Sequence, residues 1–164
     1  MTPFVVMFVR ALLAFVALPG LAAVLAPPFI AHLDPWRGQT WQPGLAMMCG
    51  GALVLLWCVR DFYVSGKGTL APWDPPKQLV VVGLYRFVRN PMYVGVLLLV
   101  LGWSLCLASP CPTGYAALLA VGFHLRVVMH EEPWLDARFG QQWRTYKAVV
   151  PRWIPNLRHR NVRG

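Results

Sequence analysis

The chain has 164 residues, 57% of them hydrophobic and only 13% charged, which departs from soluble globular composition towards the membrane class. The formal charge of +9 comes from 15 Lys and Arg against 6 Asp and Glu. These basic residues lie beside apolar stretches rather than in a basic domain or recognition motif, so a nucleic-acid partner is not expected.

Four apolar stretches, at about 8–31, 43–64, 91–109 and 113–130, are long enough to cross a hydrocarbon core of ~30 Å, which takes roughly 20 helical residues. The first carries Pro19-Gly20, which predicts a kink, and Arg10, whose long stem can snorkel to the interface. Its apolar run is too long for a cleaved signal, and no basic region precedes it. Cys49 and Cys58 fall inside the second stretch and read as small hydrophobes. Cys106 and Cys111 flank a Ser-Pro turn, where pairing would need an oxidising side; no CxxC metal pattern is present, and no metal is expected.

The 65–90 connection holds Lys67, Lys77, Arg86 and Arg89, and the segment after 130 holds Arg138, Arg144, Lys147, Arg152, Arg158, Arg160 and Arg163. Four spans put those two segments on one side, and the opposite loops contribute only Arg37. The positive-inside rule then places both termini in the cytoplasm. Within the connection, GKGTLAPWDPPKQLVVVG is rich in Pro and Gly and predicts extended backbone along the interface, with Trp73 as an anchor and QLVVV seeking burial. After the fourth span, Leu135, Phe139, Trp143 and Tyr146 share one face of a predicted amphipathic helix, with a bend expected at Gly140. The expected fold is therefore all-α: one domain over 1–164, a polytopic membrane bundle of about four helices with a C-terminal interfacial helix. Within it, 1–64 supplies two spans, 65–155 the core of the site and 156–164 a basic tail.

Asn90-Pro91 predicts a helix start, since Asn is a favoured N-cap and Pro a favoured first residue. The free N–H groups of Met92 and Tyr93 and the positive end of the dipole would then suit a carboxylate or phosphate, with Arg86 and Arg89 adding charge of the same sign. Headgroup binding by these arginines is an equally good reading. The fourth span carries His124, Arg126 and His130 and ends in Glu131-Glu132, ionisable groups that are costly at membrane depth. A three-residue turn makes spans three and four antiparallel neighbours, and about 18 residues rise roughly 27 Å in each. Glu131-Glu132 should thus return to the level of Asn90-Pro91-Met92-Tyr93. There they would either receive a ligand or pair with Arg86, Arg89 or Arg126.

GLYRFVRNPMYVG followed by EEPWLDARFGQQWRTYKAVVPRWIP resembles the isoprenylcysteine carboxyl methyltransferase family and its phospholipid N-methyltransferase relatives, over roughly 66–155. The resemblance implies an integral membrane enzyme using S-adenosylmethionine. It carries the family's Arg-His/Asn-Pro-x-Tyr-x-Gly block onto Arg89, Asn90, Pro91, Tyr93 and Gly95, and its glutamate pair onto Glu131 and Glu132. The Phe-Gly and aromatic-x-x-Tyr elements fall on Phe139-Gly140 and on Trp143 and Tyr146, and the Val-Pro on Val150-Pro151. These positions, with Tyr85 and Met92, are expected to wall a cytosol-facing cofactor pocket in a bacterial inner membrane. Arg126 is expected to hold an anionic acceptor group, and His130 or Glu132 to take a proton. Asn90 and Trp143 replace the His and Tyr usual in the isoprenylcysteine enzymes, and Asn90 with the Glu131-Glu132-Pro133 spelling leans towards the phospholipid-type and uncharacterised bacterial members. The acceptor is expected to be lipophilic, an isoprenylcysteine-like carboxylate or a phospholipid amine. Alternatives are an NADPH-dependent enzyme like the sterol reductases, a small thiol methyltransferase and a non-enzymatic membrane scaffold.

Overall fold

The computed structural model describes residues 21, 23–38, 42–65 and 77–155; Arg10, Pro19-Gly20, Lys67, Trp73 and the tail from 156 lie outside them. Every regular element among the described residues is helical. These are α1 (Ala26–His32), α2 (Pro43–Ser65), a 3-10 turn (Gly83–Arg86) and α3 (Pro91–Cys106), followed by α4 (Cys111–Arg126), a π-helical turn (Val127–Glu131), α5 (Glu132–Phe139) and α6 (Gln141–Val149). Proline occupies the first turn of α2, α3 and α4, where its missing N–H costs no helical bond and its fixed φ favours the start, while Pro27 and Pro133 lie inside the longer helical runs Ala23–His32 and Cys111–Phe139.

Two helical runs, Pro43–Phe62 and Cys111–Phe139, are long and apolar enough to cross a membrane, while Ala23–His32 and Pro91–Cys106 are apolar but shorter. Helix α3 is central, with α2 packed along it, α4 returning beside it and α1 against both α3 and α4. Leu55 of α2, Val96, Leu99 and Val100 of α3 and Ala116 of α4 form the buried core between them. Leu53 and Leu56 of α2 and Leu118, Val121 and Leu125 of α4 point outward, as a lipid-facing surface requires.

Helices α2 and α3 approach closely because glycines oppose glycines. A Cβ on Gly51 would lie 2.8 Å from the Gly95 carbonyl oxygen, and one on Gly44 would lie 2.5 Å from that of Gly102. Small residues let backbones touch where lipid offers no hydrophobic drive for helix association.

At the turn between α3 and α4, Asp34 from the α1–α2 connection is the organiser. It accepts from the Ser109 hydroxyl, from the Trp36 N–H at 2.9 Å and from the Cys111 N–H at 3.3 Å, so it caps the start of α4. Gly38 N–H adds a bond to the Ala108 carbonyl at 3.0 Å. All four cysteines are free, so Cys106 and Cys111 do not pair. At the opposite end, the extended segment before the 3-10 turn alternates its side chains. Val80 packs with Cys58 and Tyr85, while Leu79 and Val81 pack under Trp143, Tyr146 and Val150. The expected amphipathic helix is in fact two helices, because Gly140 adopts φ 51°, ψ −121°, which ends α5 and turns the chain into α6.

Gly51→Leu should force α2 and α3 apart and lower stability by about 1–3 kcal/mol, as overpacking does. Gly122→Ala, which meets open space on α4, should be neutral or gain up to about 1 kcal/mol. Thermal melting of the detergent-solubilised protein distinguishes the two.

The Ser109 hydroxyl, the Trp36 N–H and the Cys111 donors lower the Asp34 carboxyl from its ordinary 3.8 to about 2. A depressed folded value stabilises above the unfolded one, and that contribution disappears as pH falls towards the folded one. Asp34→Asn is therefore expected to lower the melting temperature at neutral pH and to flatten the acid loss between about pH 4 and pH 2. Melting curves recorded across that window check it.

Candidate functional site

The site lies where three segments converge: the chain entering α3, the π-turn closing α4, and the Val150–Trp153 strap after α6. Asn90 occupies the residue before α3, but its side chain makes no cap bond to the helix. Instead, Asn90 Nδ2 donates to the Arg152 carbonyl at 3.2 Å, and Arg89 N–H donates to the Pro151 carbonyl at 2.9 Å. The cap expected from Asn90-Pro91, in which the side-chain oxygen would accept from the helix, is not made, and the side chain instead clasps the strap through its Nδ2 donor.

The π-turn matters for the two glutamates. In an α-helix, residues five apart point about 140° away from each other. Bonds of the i→i+5 type widen the turn, and the Glu132 N–H closes one onto the Val127 carbonyl. Arg126 and Glu131 can then meet, with Arg126 Nε 2.9 Å from Glu131 Oε1. The Tyr93 phenol donates to the same oxygen. Tyr93 in turn stacks on Phe123 with ring centroids 4.4 Å apart and faces Trp153 at 6.3 Å. Trp153 Nε1 donates to His124 Nδ1 at 3.2 Å.

Glu132, the next residue, turns into the interior and is only 7% exposed. Arg89 Nη1 reaches Glu132 Oε1 at 2.9 Å; Arg152 grips both oxygens, Nε at 2.7 Å and Nη2 at 3.0 Å. Lys147 Nζ lies 3.7 Å away. One carboxylate therefore faces three cations, and Arg126 and Glu131 offset each other, so the cluster keeps an excess of positive charge.

The Arg89 guanidinium also lies over the Trp143 ring, 5.5 Å from its centroid. Burial pulls this guanidinium below its ordinary value, against the opposing attraction of Glu132. Two buried donors here, Arg89 Nε and Trp143 Nε1, have no acceptor. Beside them Tyr146 donates its phenol to the Tyr85 carbonyl at 2.7 Å, and burial raises both tyrosines, which keeps their O–H groups intact at neutral pH.

The structure thus brings Tyr85, Arg89, Asn90, Tyr93, Arg126, Glu131, Glu132, Trp143 and Tyr146 into one continuous cluster. It places others elsewhere. Pro91 is buried at the start of α3, and Met92 packs between two apolar clusters. Gly95 faces α2, where a Cβ would lie 2.9 Å from the Leu55 side chain. His130 is exposed on the π-turn and takes no part in these bonds. Sequence reasoning missed Arg152, Lys147, Phe123 and Trp153 as members of the cluster. Arg152 and Trp153 sit in VVPRWIP, where an arginine and a tryptophan between two prolines give a weak signal of an ordered strap. Asp61 was also missed, although a carboxylate inside the second apolar stretch is the kind of residue that membrane depth marks out.

Removing the charge of Glu132 leaves three cations facing one another. Glu132→Gln should cost about 3–5 kcal/mol, the range for breaking one partner of a buried pair. The double variant Glu132→Gln/Arg152→Gln should lose less than the sum of the single losses by about 1–3 kcal/mol. A double-mutant cycle in thermal or denaturant melting measures this.

A profile of the phospholipid methyltransferase family matches residues 41–142, more than half of the chain. The protein-S-isoprenylcysteine O-methyltransferase of Schizosaccharomyces pombe is 34% identical over 77 residues, 47% of this chain and 33% of that protein. Protein-S-isoprenylcysteine O-methyltransferase B of Arabidopsis thaliana is 31% identical over 78 residues, 48% of this chain and 40% of that protein. An uncharacterized protein of Haemophilus influenzae is 30% identical over 63 residues, 38% of this chain and the whole of that protein. The chain spans 33–40% of the length of the two named methyltransferases.

Proposed function

We propose, since the chain belongs to the phospholipid methyltransferase family, that it is a membrane-embedded methyltransferase that draws its methyl group from S-adenosylmethionine and passes it to a lipophilic acceptor. In this reading the helical segments cross the bilayer four times, both termini lie in the cytoplasm, and the Glu131-Glu132 cluster opens to the cytosolic face. The observation that carries it is the pair of buried, unpartnered donors, Arg89 Nε and Trp143 Nε1, within a cluster of surplus positive charge. Donors of this kind fit a carboxylate acceptor, which the methionine portion of the cofactor has.

When bound, S-adenosylmethionine supplies a sulfonium-activated methyl group. Arg89 and Trp143 would receive its carboxylate. Tyr93, Phe123 and Trp153 offer aromatic faces to positive charge, an attraction of about 0.5–2 kcal/mol for each well-placed ring. Glu131 holds the Tyr93 phenol, and Glu132 holds Arg89 and Arg152, so both carboxylates are fixed by bonds within the cluster. Their work is pre-organisation: reacting groups held in line lower the barrier through orientation, and an apolar surround keeps water away. Asn90, the Glu131-Glu132-Pro133 spelling and the phospholipid-type family match support an amine acceptor, while the named relatives support an isoprenylcysteine carboxylate. The family relationship favours a lipophilic acceptor in both cases.

Titration of the detergent-purified protein with S-adenosylhomocysteine tests the reading. Tyr93→Ala and Arg89→Lys should each weaken binding at least tenfold with normal expression, because the first removes a ring and the second the guanidinium Nε. Unchanged affinity in both removes the site. In a parallel thermal-shift ranking, stabilisation by NADPH in preference to S-adenosylmethionine would assign the chain to reductase chemistry.

A further inference from the structure

Among the described carboxylates, Glu131, Glu132, Asp34 and Asp136 all hold bonded partners. Asp61 on α2 differs. It is 5% exposed, and its Oδ2 is buried with no hydrogen-bond partner. Its other oxygen is reached by Arg60 at 3.6 Å, from a side chain that is 71% exposed. A carboxylate in such surroundings pays for its lost hydration in either protonation state, because a neutral acid would also need a partner for its proton.

The backbone is shaped around this oxygen. Gly83 adopts φ +55°, and a Cβ there would fall 1.9 Å from Asp61 Oδ2 and 2.9 Å from Trp57 Nε1. No other residue type fits that position without displacing the carboxylate. Phe62 and Tyr85 stand edge to face beside it, with centroids 5.4 Å apart, and Cys58 completes the buried wall. The same 3-10 turn carries Tyr85, whose carbonyl takes the Tyr146 phenol. The turn therefore meets Asp61 at Gly83 and the Tyr146 phenol at the Tyr85 carbonyl.

We propose that Asp61 is a cation-receiving subsite, where Oδ2 accepts a hydrogen bond from the protonated nitrogen of the methyl acceptor and takes up the proton that this nitrogen must release before its lone pair can receive the methyl group. Three features select that chemistry. The open atom is an acceptor, so the ligand brings a donor. The surroundings are apolar and the Arg60 pair is made by a largely exposed side chain to the other oxygen, so a positive donor at Oδ2 offsets more of the charge than a neutral one. Tyr85, which Phe62 meets edge to face, puts aromatic surface in the same buried wall, and such surface favours ammonium groups. Glu131 and Glu132 are already engaged by Arg126 and by Arg89 and Arg152, so they do not compete for the amine. As a site for the acceptor, Asp61 rests on the methyl-transfer reading above. It acts by binding and positioning the acceptor and by taking its proton, and it selects an acceptor with a basic nitrogen over one with a carboxylate.

The test uses the full chain in detergent micelles with four probes: ethanolamine, phosphatidylethanolamine, phosphatidic acid and S-adenosylhomocysteine. Binding is read as a thermal shift and by native mass spectrometry. The wild type should bind one of the amines in preference to phosphatidic acid; the lipid arm against the free-amine arm tells a headgroup from a soluble amine. Asp61→Asn should lose at least tenfold in amine affinity while keeping S-adenosylhomocysteine affinity within twofold and its melting temperature at or above wild type. Asp61→Glu should keep the preference for amine over acid. Equal amine affinity in Asp61→Asn, tighter binding of phosphatidic acid than of either amine, or no amine binding to the wild type overturns the proposal. So does loss of folding in Asp61→Asn, which would make the carboxylate a structural element. Failure of S-adenosylhomocysteine to bind the wild type would instead sink the methyl-transfer reading, and the amine arms would still judge the cation site.

Discussion

Glu132 holds together the charged cluster at the entry to α3. It sits one residue past a π-helical turn, is almost fully buried, and joins three segments distant in sequence through Arg89, Lys147 and Arg152. A single buried carboxylate is costly, but one that is bonded to several cations recovers much of that cost, and loss of any partner exposes the rest. The arrangement therefore fixes geometry more than it adds net stability. The strap Val150–Trp153, the entry to α3 and the start of α5 all take their positions from the same pair of oxygens, and a displacement of one would be felt by the others.

The rest of the fold keeps that cluster at one end of an apolar body. Helix α3 runs from Arg89 and Asn90 to a turn closed by Ser104, Ser109, Thr113 and Asp34, so polar groups collect at its two ends. Between them the glycine-to-glycine contact of α2 and α3 draws the backbones together, and Leu55, Leu99 and Val100 fill the core. At 1.5 Å per residue, the 16 residues of α3 rise about 24 Å, short of the ~30 Å hydrocarbon core. The neighbouring runs Pro43–Phe62 and Cys111–Phe139 are longer, and the second carries Glu131 and Glu132 in its later turns. Helix α3 therefore sits among longer partners, and its entry end, with Arg89 and Asn90, is where the polar groups find one another.

Much of this was legible in the sequence. The short link between the two apolar stretches required a hairpin, and similar helix lengths put Glu131-Glu132 at the level of Asn90-Pro91-Met92-Tyr93, while which side chains would meet there stayed open. The apolar character of QLVVV required burial, and alternation supplied two faces for it. Other features were hidden for physical reasons. Asn90-Pro91 reads as a cap because the local rule knows only the helix it starts, whereas a carbonyl of the strap, 62 residues away, takes the amide. Gly95 falls within the family motif, yet its neighbours show a packing role at the α2 seam. A π-turn leaves little mark on composition, so the meeting of Arg126 with Glu131 could not be separated beforehand from pairing with Arg86 or Arg89. Arg152 and Trp153 lie beyond the last periodic segment, where pattern reading stops.

Charge is distributed unevenly around the 3-10 turn, and this bears on what the cluster can hold. On the side of Arg89 and Trp143, Arg89, Arg152 and Lys147 face the one carboxylate of Glu132, and buried N–H groups are left open. On the side of Trp57 and Phe62, the open group is a carboxylate oxygen in apolar surroundings. A site built to bind only anionic lipid would gain nothing from Asp61, and one built to bind only cations would gain nothing from the three basic side chains. Unmet demands of opposite sign beside one short turn suit two ligand groups of opposite sign, as the proposed transfer between a cofactor carboxylate and a basic acceptor would use.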